Sequence, residues 1–401
     1  MHENQLFRHT LTRHALTLLA AAAMLPAVAM AQTKDPVRIG AVSSVSGVFA
    51  QQGEEILRGI QFAADEANAK GGVDGRKVAV QVADDESTPE AGRRVAEKLA
   101  RDGNKLLIGP IASSIALAIG QNLDRWDAML TVVASKSDKI TGDSCKPRMF
   151  RTNHSDAMDL AMLGNWMKNV KGQNFGVIAA DYVWGRDSAG VFSSSVKAMG
   201  KNVSISLFPP IGTKDFAPYI SQLKSAGNID GVWVALVGRD AIAFAKQAQE
   251  FGLTSKRIIG HAFIMNFLVD ATGTATQGVW GNMGYGADID TPLNKAFVAG
   301  WKKKFNRLPT DNEGQAYNGM QAIFEGVRKS GSVKPADIAV ALKGDSYDSI
   351  YGQVTMRAAD NQLVMPNFVG QVKTVNGQLR PVIEQTFGKE VTPAASPLCK
   401  L

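Results

Sequence analysis

Short apolar runs rich in β-branched residues recur along this chain, and each gives way to a stretch whose apolar positions fall three or four apart. The runs lie at 37–42, 77–83, 105–108, 129–134, 175–180, 203–207, 231–237 and 257–260. They are continuous rather than alternating, which marks strands covered on both faces, as in parallel sheets. After the first run, Ile56, Ile60, Ala63 and Ala67 share one helical face, and Gly71 and Gly72 stop the pattern. Farther on, Asp215 stands where it can cap a helix in which Phe216, Ile220 and Leu223 recur before Gly227. The alternation of strand and helix predicts doubly wound α/β layers.

The rhythm breaks at 148–155, after the fourth run, and then restarts. Two helical patterns at 292–307 and 313–330 have no strong strand between them and are expected to return and cover the first sheet. Short strand-like runs such as 368–372 follow. Each lobe is therefore expected to be built from separated pieces: 36–150 with 282–350, and 151–281 with 351–401, with three chain crossings as a hinge. The glycine-rich stretch 278–284 reads as one crossing. It lacks the G-x-G-x-x-G spacing and following helix of a dinucleotide loop.

Residues 1–31 read as a secretory leader. Arg8 and Arg13 precede a short apolar stretch, and Ala29-Met30-Ala31 supplies a small-residue cleavage site. The apolar stretch is shorter than the roughly 20 residues that span a bilayer. What remains, roughly 370 residues, exceeds the limit of about 250–300 for a single core, so two domains are expected. The formal charge is +7, but the basic residues are scattered, and the longest run, Lys302-Lys303-Lys304, sits on a helical pattern. A solvated helix face accounts for it, and no nucleic-acid partner is expected. In an exported chain the two cysteines, Cys145 and Cys399, are expected to form a disulfide. His154 and His261 alone, with distant cysteines, make a poor metal site. No metal or cofactor is expected. There is no G-x-S-x-G, H-E-x-x-H or phosphate-loop motif, and the acidic run Asp84-Asp85-Glu86 follows a strand where water solvates it. An enzyme is not expected.

The stretches SGVFAQQGEEILRGIQFAADEANAKGGVDGRKV, ADDESTPEAGRRVAEKLA, LLIGPIASS, DYVWGRD and KDFAPYISQLKSAGNIDGVWV, in their order and spacing, resemble the type I periplasmic solute-binding proteins of the leucine/isoleucine/valine group, which serve ABC importers. The resemblance runs over essentially the whole chain after the leader. It implies two α/β lobes, three hinge crossings and a ligand held in the cleft, with closure over it and docking on an inner-membrane permease. It also implies a periplasmic location. A monomer is the default expectation for this class.

Ligands of open α/β sheets gather at the carboxyl ends of the strands. Ser113 and Ser114 stand there, at the start of an expected helix whose free N–H groups and dipole suit an anion. Simple N-capping is the alternative use of these serines. The resemblance extends the site to Ser135 and Lys136, to Phe49 and Gln52 in the first strand–helix loop, and to Tyr182 and Trp184, one of which is expected to wall the ligand, with Trp184 aligning best. Where members of the group carry an acidic residue for a ligand ammonium, this chain reads His261-Ala262-Phe263-Ile264-Met265. A buried ammonium without a charged partner is costly. The expected ligand is a small carboxylate: an amino acid or, better matched to Lys136 and Phe263, an organic or aromatic acid without an amino group. A sensory receptor of the same fold is the alternative to transport.

Overall fold

The computed structural model describes residues 34–168, 170–260 and 264–401. The leader, with its cleavage site, and Phe263 lie outside the described residues. Strands β1 (Val37–Ser43), β2 (Val78–Asp84), β3 (Leu106–Gly109), β4 (Met129–Val132) and β5 (Met149–Arg151) open the first sheet. Helices α1 (Ala50–Ala69), α2 (Pro89–Arg101), α3 (Ser113–Gly120) and α4 (Leu123–Trp126) lie between them. The second sheet takes β6 (Asn174–Ala179), β7 (Asn202–Leu207), β8 (Gly231–Ala235), β9 (Arg257–Ile259) and β10 (Trp280–Met283). With it go α5 (Asp156–Met167), α6 (Val183–Ala198), α7 (Ala217–Ser225), α8 (Gly238–Glu250) and α9 (Asn266–Thr272). The chain then returns through α10 (Pro292–Phe305), α11 (Asp311–Ser330) and α12 (Pro335–Leu342) to β11 (Ser346–Ser349), β12 (Gly352–Arg357) and β13 (Gln362–Val364). It ends with β14 (Asn367–Val375) and β15 (Gln378–Phe387).

The first sheet runs β11-β12-β13-β5-β4-β3-β1-β2 and the second β15-β14-β10-β9-β8-β6-β7. Their parallel central strands, β3, β4 and β8, are buried at every position, which explains why they read as continuous apolar runs. The helical pattern at 292–330 does cover the first sheet. Phe297 and Trp301 of α10 close on Phe62 of α1, with ring centroids 5.7 and 5.0 Å away. Helix α11 runs against α1, and Gly59 permits the approach: a Cβ there would stand 2.4 Å from the Glu313 carbonyl oxygen.

The chain passes between the lobes at 152–155, 284–291 and 365–366. Three features differ from the sequence reading. Met149–Arg151, read as part of a break, is a full member of the first sheet, because three residues suffice to pair with β4. Trp280–Met283, read as a crossing, is a strand between β9 and β14, and the crossing follows it. The chain after 350 was assigned to the second lobe, yet β12 and β13 complete the first sheet. There Val354, Met356 and Leu363 point inward, and Gln362 pairs with Arg151. These strands are short and antiparallel at one end, so they carry alternation rather than the continuous runs that reveal buried parallel strands.

Cys145 and Cys399 are joined, their Cα atoms 5.6 Å apart across 254 residues of sequence. The tail reaches Cys145 by passing Arg357, whose Nη1 donates to the Pro393 carbonyl (2.7 Å). Replacing both cysteines by serine should lower unfolding stability by roughly 2–5 kcal/mol, because a long loop is released in the unfolded chain. Denaturant titration checks this, and an unchanged midpoint contradicts it.

Candidate functional site

Helices α1 and α3 of the first lobe and α6 and α8 of the second all begin just after a strand, and their N-termini meet in the cleft. The lobes are closed on each other. The Ser137 hydroxyl donates to Asp187, and Asn266 and Asp311 exchange backbone-to-side-chain hydrogen bonds of 3.3 and 3.2 Å. Gly238, at φ +55°, lies so close to the first lobe that a Cβ would stand 2.3 Å from the Val48 carbonyl oxygen. Any other residue there would hold the cleft ajar.

Adjoining cavities remain, among them a space of about 40 Å³ lined by Asn266, Met283, Tyr285, Leu308 and Asp311, and two that face the helix starts. One, of about 30 Å³, is lined by Gln52, Ile111, Ser113, Ala134, Lys136, Tyr182, Trp184, Val237, Met265, Asn312 and Gln315. The other, of about 10 Å³ on the hinge side, shares Lys136, Met265 and Gln315 and adds Asn266, Asn282, Tyr285 and Asp311 among others. A larger concavity of about 340 Å³ beside Trp280 is open to solvent and lies outside the cleft, and another, of about 450 Å³, is an open recess between Asp138 and Lys139 of the first lobe and α6 of the second.

Of the residues expected from sequence, Gln52, Ser113, Lys136, Tyr182 and Trp184 come together around the larger cavity. Ser113 is buried at the first position of α3, and its Oγ accepts from the Ser137 N–H (3.1 Å), leaving its own proton to donate into the cavity. The N–H groups at the start of α3 precede any intrahelical acceptor. Trp184 is fixed by Nε1 donating to Asp156 Oδ1 (3.0 Å), and the Tyr182 ring lies 5.8 Å from it. Phe49 is buried behind Tyr182 at 6.5 Å between centroids, a packing contact across the cleft rather than part of the cavity lining. Ser114 is half-buried and does not line the cavity. Ser135 also lies behind the wall, its Oγ within 2.9 Å of the Pro110 and Ile111 carbonyls, where it ties two loops together.

Lys136 differs most from expectation. Its ammonium is 2.5 Å from Asp159 Oδ2, and both side chains are buried. The lysine reaches the cavity as half of an internal ion pair, so its charge is already largely offset.

Sequence reasoning did not find the contribution of α11. Thr310 and Glu313 form a capping box, and Glu313 also accepts from Arg58 Nε (2.7 Å) and from Arg307 (2.5 and 2.7 Å). This fixes the first turn and turns Asp311, Asn312 and Gln315 into the cleft. Asn312 Nδ2 in turn donates to Glu55 Oε2 (2.6 Å). Burial pushes Asp311 up to about 6. Burial, with Asp311 next in effect, pushes Glu55 up to about 8. Burial also drives Asp156 well above the usual carboxylate range and His154 below the usual imidazole range. Among the described residues no group of three or more His, Cys, Asp or Glu is placed to hold a metal ion, and no helix is long and apolar enough to cross a membrane.

A family model described as periplasmic binding protein matches residues 36–378. The chain is 25% identical over 335 residues to Leu/Ile/Val-binding protein homolog 2 of Brucella abortus (strain 2308), covering 82% of this chain and 88% of that protein. Its fold superposes with a TM-score of 0.81 on a solute-binding protein of an ABC transporter from Rhodopseudomonas palustris BisB5 in complex with 3,4-dihydroxybenzoic acid, at 24% identity, covering 88% and 98% of the two chains. It superposes with a TM-score of 0.82 on a solute-binding protein from R. palustris in complex with benzoate, at 23% identity, covering 91% and 100%.

Two outcomes follow from the electrostatics. Lys136→Met strands a buried carboxylate and should cost about 3–5 kcal/mol of stability, whereas adding Asp159→Leu should recover most of it. Denaturation of both variants measures this, and equal losses would refute the pairing. For Asp311 the folded-state value, about 6, lies above the unfolded one, so the folded protein holds the proton more tightly. The stabilisation from that proton is full at acid pH and fades as pH rises from about 4 to about 6. Asp311→Asn should therefore gain stability relative to the unsubstituted protein across that window and level off above it. A pH-independent difference between their thermal midpoints would contradict this.

Proposed function

The chain belongs to the periplasmic binding protein family, and on that premise we propose that it is the extracytoplasmic receptor of an ABC importer, taking up a small carboxylate between its lobes. One observation carries this reading: Ser113 and the N-terminus of α3 converge with Lys136 on a cavity walled by Tyr182 and Trp184. Hydroxyl and amide donors at a helix start suit a carboxylate. The aromatic wall suits a flat apolar body. Structural relatives with benzoate and 3,4-dihydroxybenzoic acid bound support an aromatic acid, while the Leu/Ile/Val-binding homologue keeps an amino acid as the competitor.

The acidic residue expected for an amino-acid ligand is missing from 261–265. Asp159 is committed to Lys136, and Asp311 accepts from the Asn266 N–H. A carboxylate without an ammonium fits this arrangement better. The larger cavity holds about two waters on the usual measure of one per 10–15 Å³, so an aromatic acid enters only when the hinge opens. Contacts from both lobes to the ligand then favour closure. The reading extends to binding without turnover, to a leader removed after Ala31, to a monomer in the periplasm, and to a permease that reads the closed surface.

Titration calorimetry on protein refolded to strip any carried-over ligand tests this. Benzoate or its hydroxylated forms should bind, leucine should not, and Ser113→Ala should weaken the aromatic acids about tenfold or more, the worth of one hydrogen bond to a charged group. Leucine binding with no response to aromatic acids would refute the reading.

A further inference from the structure

Asn282 stands near the end of β10, facing the smaller cavity on the hinge side. It is 2% exposed, and neither its Nδ2 nor its Oδ1 has a partner among the described residues. Gln315, one turn into α11, is 5% exposed. Its Nε2 donates to the Asp311 carbonyl (3.3 Å), while its Oε1 has no partner. Buried polar atoms are almost always satisfied, and leaving one bare costs about 1–3 kcal/mol. Three such atoms around one space indicate a group that arrives from outside.

The size of that space restricts the group. At about 10 Å³ it admits roughly one water-sized atom beside the two amides, and it adjoins a cavity of about 40 Å³ beyond Asn266, Met283, Tyr285 and Asp311. It adjoins the cavity lined by Ser113, sharing Lys136, Met265 and Gln315 with it. An ammonium there would sit beside the Lys136 ammonium. A second carboxylate is too large and would face Asp311. A hydroxyl fits in both size and bonding, since it accepts from one amide and donates to another.

We propose that Asn282 and Gln315 form a second recognition pole, which takes a single neutral hydroxyl at the end of the ligand opposite its carboxylate. Asn282 Nδ2 donates to the hydroxyl oxygen, and the hydroxyl proton goes to Gln315 Oε1 or Asn282 Oδ1. The ligand class is thus a hydroxylated carboxylic acid, with the hydroxyl read by amides rather than by charge. This rests on the cleft being a carboxylate site, and it adds which residues select among carboxylates.

The probes are benzoate, 3-hydroxybenzoate, 4-hydroxybenzoate and 4-methylbenzoate, titrated into the full chain and into Asn282→Leu and Gln315→Met. In the unsubstituted protein one hydroxybenzoate should bind at least tenfold more tightly than both benzoate and the methyl analogue, because a methyl group leaves the amides unpaired. In each variant the ratio of hydroxyl to methyl affinity should fall to near one; the second variant serves if the first does not fold. Benzoate or 4-methylbenzoate binding as tightly as the hydroxybenzoates overturns the hydroxyl pole and leaves the carboxylate site standing. Full hydroxyl preference in both variants overturns the assignment to these residues. Failure of all four acids to bind overturns the carboxylate reading and the pole with it.

Discussion

The guanidinium of Arg151 is the constraint on which the cleft depends. It is fully buried at the end of β5, where the chain first leaves one lobe for the other. Its Nη1 donates to the carbonyls of Lys136 and Ser137 at 3.2 and 2.6 Å, its Nη2 to Thr141 at 2.5 Å, and its Nε to Gln362 at 2.6 Å. Gln362 belongs to β13, which leads into the third crossing, and its own amide donates to the Asn153 carbonyl in the first crossing (2.9 Å). His154 closes the circuit: its Nε2 donates to the Pro366 carbonyl (2.8 Å), which places the ring proton on that nitrogen. One planar fork thus orients the loop that carries Lys136 and Ser137 and also joins two hinge crossings. Burying that charge is costly unless neighbours offset it. Burial, the largest influence, pulls the guanidinium below its ordinary value, and Asp138, Asp156, Asp360 and Asp159 act in the opposite direction. The anion-facing loop and the hinge form a single network, so the loop stays in register with the first lobe as the second moves.

Polar links cross the closed cleft on both sides of the hinge. Among the described residues they include Ser137 with Asp187, the buried Lys136–Asp159 pair, the Ala157 N–H donating to Asp138 (3.0 Å), the Asn266–Asp311 exchange, and a weak contact from Gln52 to the Met265 sulfur at 3.6 Å. Against them stand buried amide atoms on Gln52, Asn282 and Gln315 with no partner among the described residues. Closure therefore leaves part of the cleft's polar surface unpaired. A two-state equilibrium balanced in this way responds to a ligand in proportion to the difference in its affinity for the two states. The unsatisfied amides enlarge that difference, because a ligand that reaches them removes a cost which the closed state otherwise bears.

The sequence revealed what periodicity can reveal. Buried parallel strands such as β3 and β8 announce themselves as apolar runs, and Ser113 was legible because a strand end followed by serine and an apolar helix is a local signature. Short or antiparallel strands were less clear: β5 has three residues, and β12 and β13 depend on partners far away in sequence. Within the site, the pairing of Lys136 with Asp159 bridges 23 residues and an entire helix start, so no local pattern foretells that the lysine arrives already neutralised. The role of α11 had a signal that was not used. Its first turn, Asp311-Asn312-Glu313, is polar, yet the helix is buried throughout its first half. A polar helix start followed by a buried body is what a cleft-facing N-terminus looks like. The capping box explains Glu313 but leaves Asp311, Asn312 and Gln315 unexplained until the second lobe is in place.

Charge within the cleft decides how an anion is held. Lys136 and Asp159 offset each other, so the ligand carboxylate does not meet a free cation. On the proposed reading its charge is met by the dipole and N–H groups of α3 and by the Ser113 hydroxyl, neutral donors fixed in place before a ligand arrives. Asp311 is the nearby group able to adjust, since its carboxyl already favours the proton more than an ordinary aspartate. An incoming anion strengthens that preference, because like charges disfavour ionisation. An incoming ammonium acts in the opposite sense and draws Asp311 toward its charged form. The Lys136–Asp159 pair beside this space presents neither sign of charge in excess, which suits a neutral distal group. Replacing Asp159 would leave the Lys136 charge unbalanced and make the cleft a general anion trap, so the ion pair that weakens attraction for anions is also what gives neutral dipoles control over which anion fits.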